Sequence, residues 1–170
     1  AGTKLLVKRG SPIRSYRNLA GKTVVVTAGT TNEQAMQEIA RRFKVDFKII
    51  KQKDHSESYA RLGDGKADAF ATDDVLLYGL IAQHKAQKQY QVVGEFLSYD
   101  PYGIMFRKGD AQLAELVQRA FHELADDGEI ERQYKRWFLQ RLPGSGGQSL
   151  DLPMSPQLET LIRAMAAKPE

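Results

Sequence analysis

Thr30 and Glu33 stand three residues apart just after Gly29, the spacing of a capping box in which a hydroxyl and a carboxylate close the first turn of a helix. The leading backbone N–H groups of such a helix lack partners in their own turn and sit at the positive end of its dipole. The Thr30–Thr31 turn is therefore suited to a carboxylate or phosphate, although the same pattern also serves a plain capped helix. Asp73-Asp74 offers a carboxylate pair, but neighbours on a strand-to-helix turn point apart, so one is expected to cap the helix while the other faces a cleft. Of the three histidines, His122 lies beside Phe121 within a helix and His84 near a helix end among Lys and Gln, and both read as surface residues. His55 falls in the polar loop Asp54–Ser58, at the edge where the other candidates converge. No metal-binding helix signature, Gly-x-Ser-x-Gly elbow or phosphate loop occurs, so no catalysis, cofactor or metal is expected.

The elements that must position these residues follow from hydrophobic period. Thr23-Val-Val-Val-Thr27 is a β-branched run that reads as a buried strand, Gly29 breaks it, and Met36, Ile39, Ala40 and Phe43 recur at helical spacing. Before it, Leu5–Val7 reads as a short strand and Ser15–Gly21 as one helical turn. After it, alternating Val45, Phe47 and Ile49 predict a strand, and a helix carrying Tyr59 and Leu62 runs to Gly63 and Gly65. Ala67–Thr72 is apolar enough for a strand buried on both faces, Val75–Ala82 reads as a helix, and Tyr90–Val93 as a further strand. This alternation predicts an α/β fold with a mainly parallel sheet, whose ligands bind at the carboxyl ends of strands. Thr27–Thr31 and Thr72–Asp74 are two such ends.

Ser98-Tyr-Asp-Pro101 interrupts the pattern, and Tyr102–Lys108 then predicts a new strand. A helix with Leu113, Leu116, Val117, Phe121 and Leu124 on one face follows and ends at Gly128. Ile130, Tyr134, Trp137 and Phe138 mark a second helix, Pro143–Gly147 a flexible linker, and Leu158, Leu161, Ile162 and Met165 a last amphipathic segment.

The 170 residues suffice for one α/β domain, or for one small domain and a fragment of another. A hydrophobic content of 42% and a charged content of 27% exclude the disordered and membrane classes. The net charge of +4 is spread over helix faces between acidic residues, without the basic stripe that nucleic-acid binding needs. Without cysteine there are neither disulfides nor thiolate chemistry.

Leu19-Ala-Gly-Lys-Thr-Val-Val-Val-Thr-Ala-Gly-Thr-Thr31, Lys53-Asp-His55, Gly65-Lys-Ala-Asp-Ala-Phe70 with Asp73-Asp74, Tyr102-Gly-Ile-Met-Phe-Arg-Lys108 and Tyr134-Lys-Arg-Trp-Phe138 occur in this order along nearly the whole chain. Together they resemble the periplasmic solute-binding proteins of ABC importers for amino acids, in the glutamate/aspartate-binding branch. The resemblance implies a type II periplasmic-binding-protein-like fold of two lobes joined by a two-strand hinge. On that pattern residues 3–97 are one complete lobe, 98–102 the hinge, and 103–170 the C-terminal part of the other lobe. It further implies that Thr30 and Thr31 donate to the ligand's α-carboxylate, that Asp73 pairs with its ammonium, and that His55 reaches the side-chain carboxylate. Thr27 would line the same strand end. Implied partners are glutamate or aspartate and the membrane permease subunits, in the periplasm and without nucleic acid.

Other readings are a lyase or dehydratase with Asp73 or His55 as acid or base, which turnover of an amino acid would reveal, and a sensor domain, which a following membrane span or kinase module would mark. The chain reads as a piece lacking the N-terminal body of the first lobe. Weak ligand binding is then expected, and the apolar helices after Tyr102 are expected to pack against another copy in a homodimer formed by segment exchange across Ser98–Pro101, or else to fold back on the complete lobe.

Overall fold

Strand and helix alternate along the first part of the chain: β1 (Thr3–Lys8), a 3-10 turn (Tyr16–Leu19), β2 (Thr23–Thr27), α1 (Thr31–Phe43), β3 (Lys48–Gln52), α2 (His55–Gly63), β4 (Ala69–Asp73), α3 (Asp74–Gln83) and β5 (Tyr90–Val93). The computed structural model describes residues 1–141 and 147–167 and divides into two units, Ala1–Tyr102 and Gly103–Glu170. Within the first unit the period of two along each strand assigns the core. Leu5, Val7, Val24, Val26, Ala69 and Ala71 enter a cluster with Met36 and Ile39 of α1, while Leu6, Val25 and Phe70 enter another with Leu62 of α2 and Leu77 of α3. The sheet is thus covered on both faces, which is why β2 and β4 carry almost no polar side chain before their last residues.

The strand order is β3-β2-β4-β1-β5. β2 runs parallel to β3 and β4, as the alternation predicts, but β1 is antiparallel to both neighbours, β4 and β5. The inverted strand brings Thr3, at the start of β1, opposite Asp73, at the end of β4. Sequence periodicity shows which face a side chain takes and not which way a strand runs, so this inversion was invisible to it.

Two further expectations are corrected. Val45, Phe47 and Ile49 do alternate onto the core, yet pairing begins only at Lys48, where the register Thr23↔Lys48 to Thr27↔Gln52 aligns β3 with the whole of β2. Tyr102–Lys108 is not a strand: among the described residues nothing pairs with it, and an extended segment without a neighbour has no ladder to satisfy its N–H groups.

The second unit is helical, with α4 (Ala111–Asp126), α5 (Glu129–Tyr134) continuing into a π-helical turn (Lys135–Leu139), and α6 (Pro156–Ala166). The Asp110 carboxylate caps α4 by accepting from Leu113 N at 3.0 Å, and His122 Nδ1 lies 2.8 Å from Met165 O of α6. Only Ala125, Leu152 and Ile162 are buried among the described residues of this unit, while Leu116 and Trp137 are more than half exposed. The linker expected at Pro143–Gly147 lies, apart from Gly147, outside the described residues. No helix among the described residues is long and apolar enough to cross a membrane.

Phe70, the second residue of β4, is fully buried, so Phe70→Ala removes a large side chain that the surrounding layers cannot refill. The expected loss is about 3–5 kcal/mol of unfolding free energy in urea titrations, and a loss under about 1 kcal/mol would contradict the assigned layering.

Candidate functional site

β2, β3 and β4 all end at one edge of the sheet, and the side chains expected there occupy the ends of these strands or the starts of the helices that follow. Thr27 closes β2, Thr30 is the N-cap of α1 and Thr31 its first residue. Asp73 closes β4, at the N-cap position of α3. His55 opens α2 as its first helical residue, one turn earlier than a loop position would place it.

Gly29 makes the turn from β2 into α1 with φ +74°, a conformation that other residues adopt only under strain. Thr30 Oγ1 accepts from Glu33 N at 3.2 Å, as the capping box predicts, and donates to Thr27 O at 2.8 Å. The return arm differs: Glu33 Oε2 accepts from Gly29 N at 2.9 Å, one residue before the cap. Among the described residues the amides of Thr30, Thr31 and Asn32 make no hydrogen bond, so three N–H groups stand together at the helix N-terminus. Lys51 Nζ lies 2.5 Å from Glu33 Oε1, and this contact, with the bond from Gly29, holds the Glu33 carboxyl below its ordinary value.

Asp73 and Asp74 divide their work differently from the expectation. The Asp73 carboxylate makes no cap to α3. Its Oδ1 accepts from Asn32 Nδ2 at 2.7 Å and its Oδ2 from the Tyr102 hydroxyl at 2.5 Å. Asp74 turns back to the start of β1, accepting from Gly2 N at 3.4 Å while its own amide donates to Gly2 O at 2.9 Å. Burial of the hydroxyl, reinforced by its bond to Asp73, pushes Tyr102 above the ordinary tyrosine range.

Asn32 and Tyr102 are the members of this edge that sequence reasoning missed. Asn32 also donates to Thr3 Oγ1 at 2.9 Å and accepts from Thr72 Oγ1 at 3.2 Å. A polar residue on the otherwise apolar inner stripe of α1 was the available signal. On the other side of β2, Thr27 Oγ1 lies 2.7 Å from His55 Nδ1 and 3.0 Å from Ser58 Oγ. Among the described residues no cluster of three or more His, Asp or Glu side chains is placed to hold a metal. His84, at the end of α3, stacks on Tyr59 with ring centroids 4.6 Å apart.

This edge combines an unpaired helix N-terminus, a buried acid and an imidazole, which equips it to hold a small ligand carrying both anionic and cationic groups. Residues 2–142 match the family described as "ABC transporter, phosphonate, periplasmic substrate-binding protein". The chain belongs to this family of periplasmic substrate-binding proteins. Among its relatives, the L-glutamate/L-aspartate-binding protein of Pseudomonas aeruginosa is 40% identical over 98% of this chain and 55% of its own length. The glutamate/aspartate import solute-binding protein of Escherichia coli is 35% identical over 95% of this chain and 53% of its own length. The chain thus spans about half the length of the curated relatives it matches. Among solved structures, an ancestral arginine-binding protein bound to arginine superposes with a TM-score of 0.65 at 34% identity, covering 81% of this chain and 60% of its own. The GluR0 ligand-binding core from Nostoc punctiforme in complex with L-glutamate gives 0.61 at 28% identity, with the same coverage. The substrate-binding fold is therefore the type II periplasmic-binding-protein fold, here in part.

Because the Glu33 carboxyl is held below its ordinary 4.5, its ionised form stabilises the first unit above that pH. The contribution is lost as pH falls below 4.5 through the lower folded value. Glu33→Gln should flatten the fall of melting temperature as pH drops below 4.5, and an unchanged slope would remove Glu33 from the acid response.

Proposed function

We propose that this chain is the ligand-holding part of a solute-binding protein that takes glutamate or aspartate in the periplasm and delivers it to the permease of an ABC importer. In this reading the amides at Thr30 and Thr31 take the α-carboxylate, Asp73 the α-ammonium and His55 the distal carboxylate, with Thr27 lining the same edge. The observation that carries it is the bond from Asn32, in the first turn of α1, to Asp73. That bond ties the anion-seeking helix end to the acid through one side chain, so the two charges of one small α-amino acid can be met together. The names of the Pseudomonas and Escherichia relatives support the choice of ligand.

The family's description names phosphonate, and electrostatics favours the amino acid over it. A simple alkylphosphonate brings only negative charge, which the buried Asp73 carboxylate repels, whereas an ammonium meets it in a charge-assisted bond. Tyr102 holds one lone pair of that carboxylate and leaves others for the ligand. The ligand leaves unchanged, since a transport receptor needs binding and release without chemistry. The reading also includes a homodimer by segment exchange at Ser98–Pro101, supported by the exposed apolar side chains Leu113, Leu116 and Phe121 of the second unit. Sedimentation giving a monomer at all concentrations would remove that part.

Calorimetric titration tests the site. Asp73→Asn is expected to weaken glutamate binding at least about tenfold, with Asp74→Asn close to the unmodified chain. Thr31→Pro deletes one N–H while suiting the first helical position, so it should cost about 1–3 kcal/mol of binding without unfolding α1. Tighter binding of methylphosphonate than of glutamate, or an amino acid converted to product, would overturn the reading.

A further inference from the structure

His55, Thr27, Ser58 and the carbonyl of Asp54 form a hydrogen-bonded chain whose direction follows from counting protons. Ser58 Oγ lies 3.0 Å from Asp54 O and 3.0 Å from Thr27 Oγ1, and Thr27 Oγ1 lies 2.7 Å from His55 Nδ1. A carbonyl carries no proton, so the single hydroxyl proton of Ser58 goes to Asp54 O. Thr27 must then donate to Ser58 Oγ, which leaves its own oxygen to accept from His55 Nδ1. The opposite order, Ser58 to Thr27 to Nδ1, sets the lone pairs of Ser58 Oγ against those of Asp54 O. Ser58 is 0% exposed, so no solvent could relieve that contact.

We propose that Ser58 is a positioning residue that, through Thr27, keeps the proton of His55 on Nδ1 and leaves Nε2 as the nitrogen that meets the ligand's side chain. The proposal deepens the reading of His55 given above and rests on it for its binding consequence. A neutral His55 then presents only a lone pair at Nε2, which accepts from an amide but not from a carboxylate. A distal carboxylate is met only by the imidazolium, so glutamate must bring a proton with it and glutamine need not. α2 packs on β2, β3 and β4. The charged groups on these elements are Lys48 and Lys51 of β3, Asp73 of β4, and Glu57 and Arg61 of α2 itself, with Asp54 at its cap. Lys51 is paired with Glu33 and Glu57 with Lys53, and β2 carries no titratable side chain.

Long-range proton–nitrogen correlation spectra of the chain, labelled with nitrogen-15 histidine and recorded where the His55 ring is neutral, test the assignment without ligand. The expected spectrum has a protonated Nδ1 and a bare Nε2. Ser58→Ala frees the Thr27 proton for Nδ1 and should move the ring toward the Nε2–H form, whereas Ser58→Thr should keep the original tautomer. Thr27→Val, which removes the acceptor, should also release Nδ1–H. An Nε2–H ring in the unmodified chain, or one indifferent to Ser58→Ala, would overturn the proposal. Calorimetry in buffers of different ionisation heat should then show uptake of about one proton per glutamate and about none with glutamine. Equal uptake with both ligands overturns the selective role of Nε2. Absence of binding heat with either ligand would count against the amino-acid reading, while the spectrum decides the tautomer by itself.

Discussion

A side-chain amide with 4% exposure must find its partners inside the protein, because each polar group buried without one costs about 1–3 kcal/mol. Asn32 finds them on three elements at once: Thr3 of β1, and Thr72 and Asp73 of β4, from its own place in the first turn of α1. Both amide hydrogens and the carbonyl are engaged, so rotating Asn32, sliding α1 or shifting the end of β4 breaks several bonds together. The relative placement of the helix N-terminus and the Asp73 carboxylate is thereby set by a buried network. A loop would leave that placement free.

The same edge carries negative charge at a helix start whose leading amides stay open. Glu33 stabilises the first turn of α1 as acids do there, yet an unpaired carboxylate among free amides would repel an anionic ligand. Its two oxygens are instead committed to Gly29 N on one side and to Gln37 and Lys51 on the other. The acid therefore ties the β2–α1 turn while Lys51 offsets its charge. The amides of Thr30, Thr31 and Asn32 keep their donors, and Asp73 supplies the opposite polarity a short way along the edge.

What the sequence made legible was local. Three valines between threonines, a glycine and the Thr30–Glu33 spacing announce β2, the tight turn and the start of α1, and the structure has all three. The helices α2 and α3 were readable as elements, but α2 begins at His55, inside the stretch read as a polar loop, and α3 at Asp74, one residue before the expected Val75 and without a side-chain cap from Asp73. The relations that depend on distant partners were not. The reversed direction of β1, the bridge from Asn32 across 41 residues to Asp73 and the bond from Tyr102 back to the same acid leave no periodic trace. Tyr102–Lys108 shows the converse, since a strand-like composition forms no strand where no neighbour supplies a ladder.

The inversion of β1 has a mechanical consequence at this edge. Leu97 N donates to Thr3 O and Asp100 N to Ala1 O, each at 2.8 to 2.9 Å, so the chain leaving β5 runs alongside the residues that enter β1. The two passes approach so closely that a Cβ on Gly2 would lie 2.1 Å from Ser98 O, and only glycine fits there. Thr3 joins this crossing to the candidate site, because its hydroxyl meets Ser98 Oγ at 2.7 Å and also accepts from Asn32. Tyr102, four residues beyond Ser98, returns to Asp73 itself. Crossing, β1, α1 and acid are thus continuous through hydrogen bonds, and a displacement of either pass must be taken up at Asn32 or at the Asp73 carboxylate.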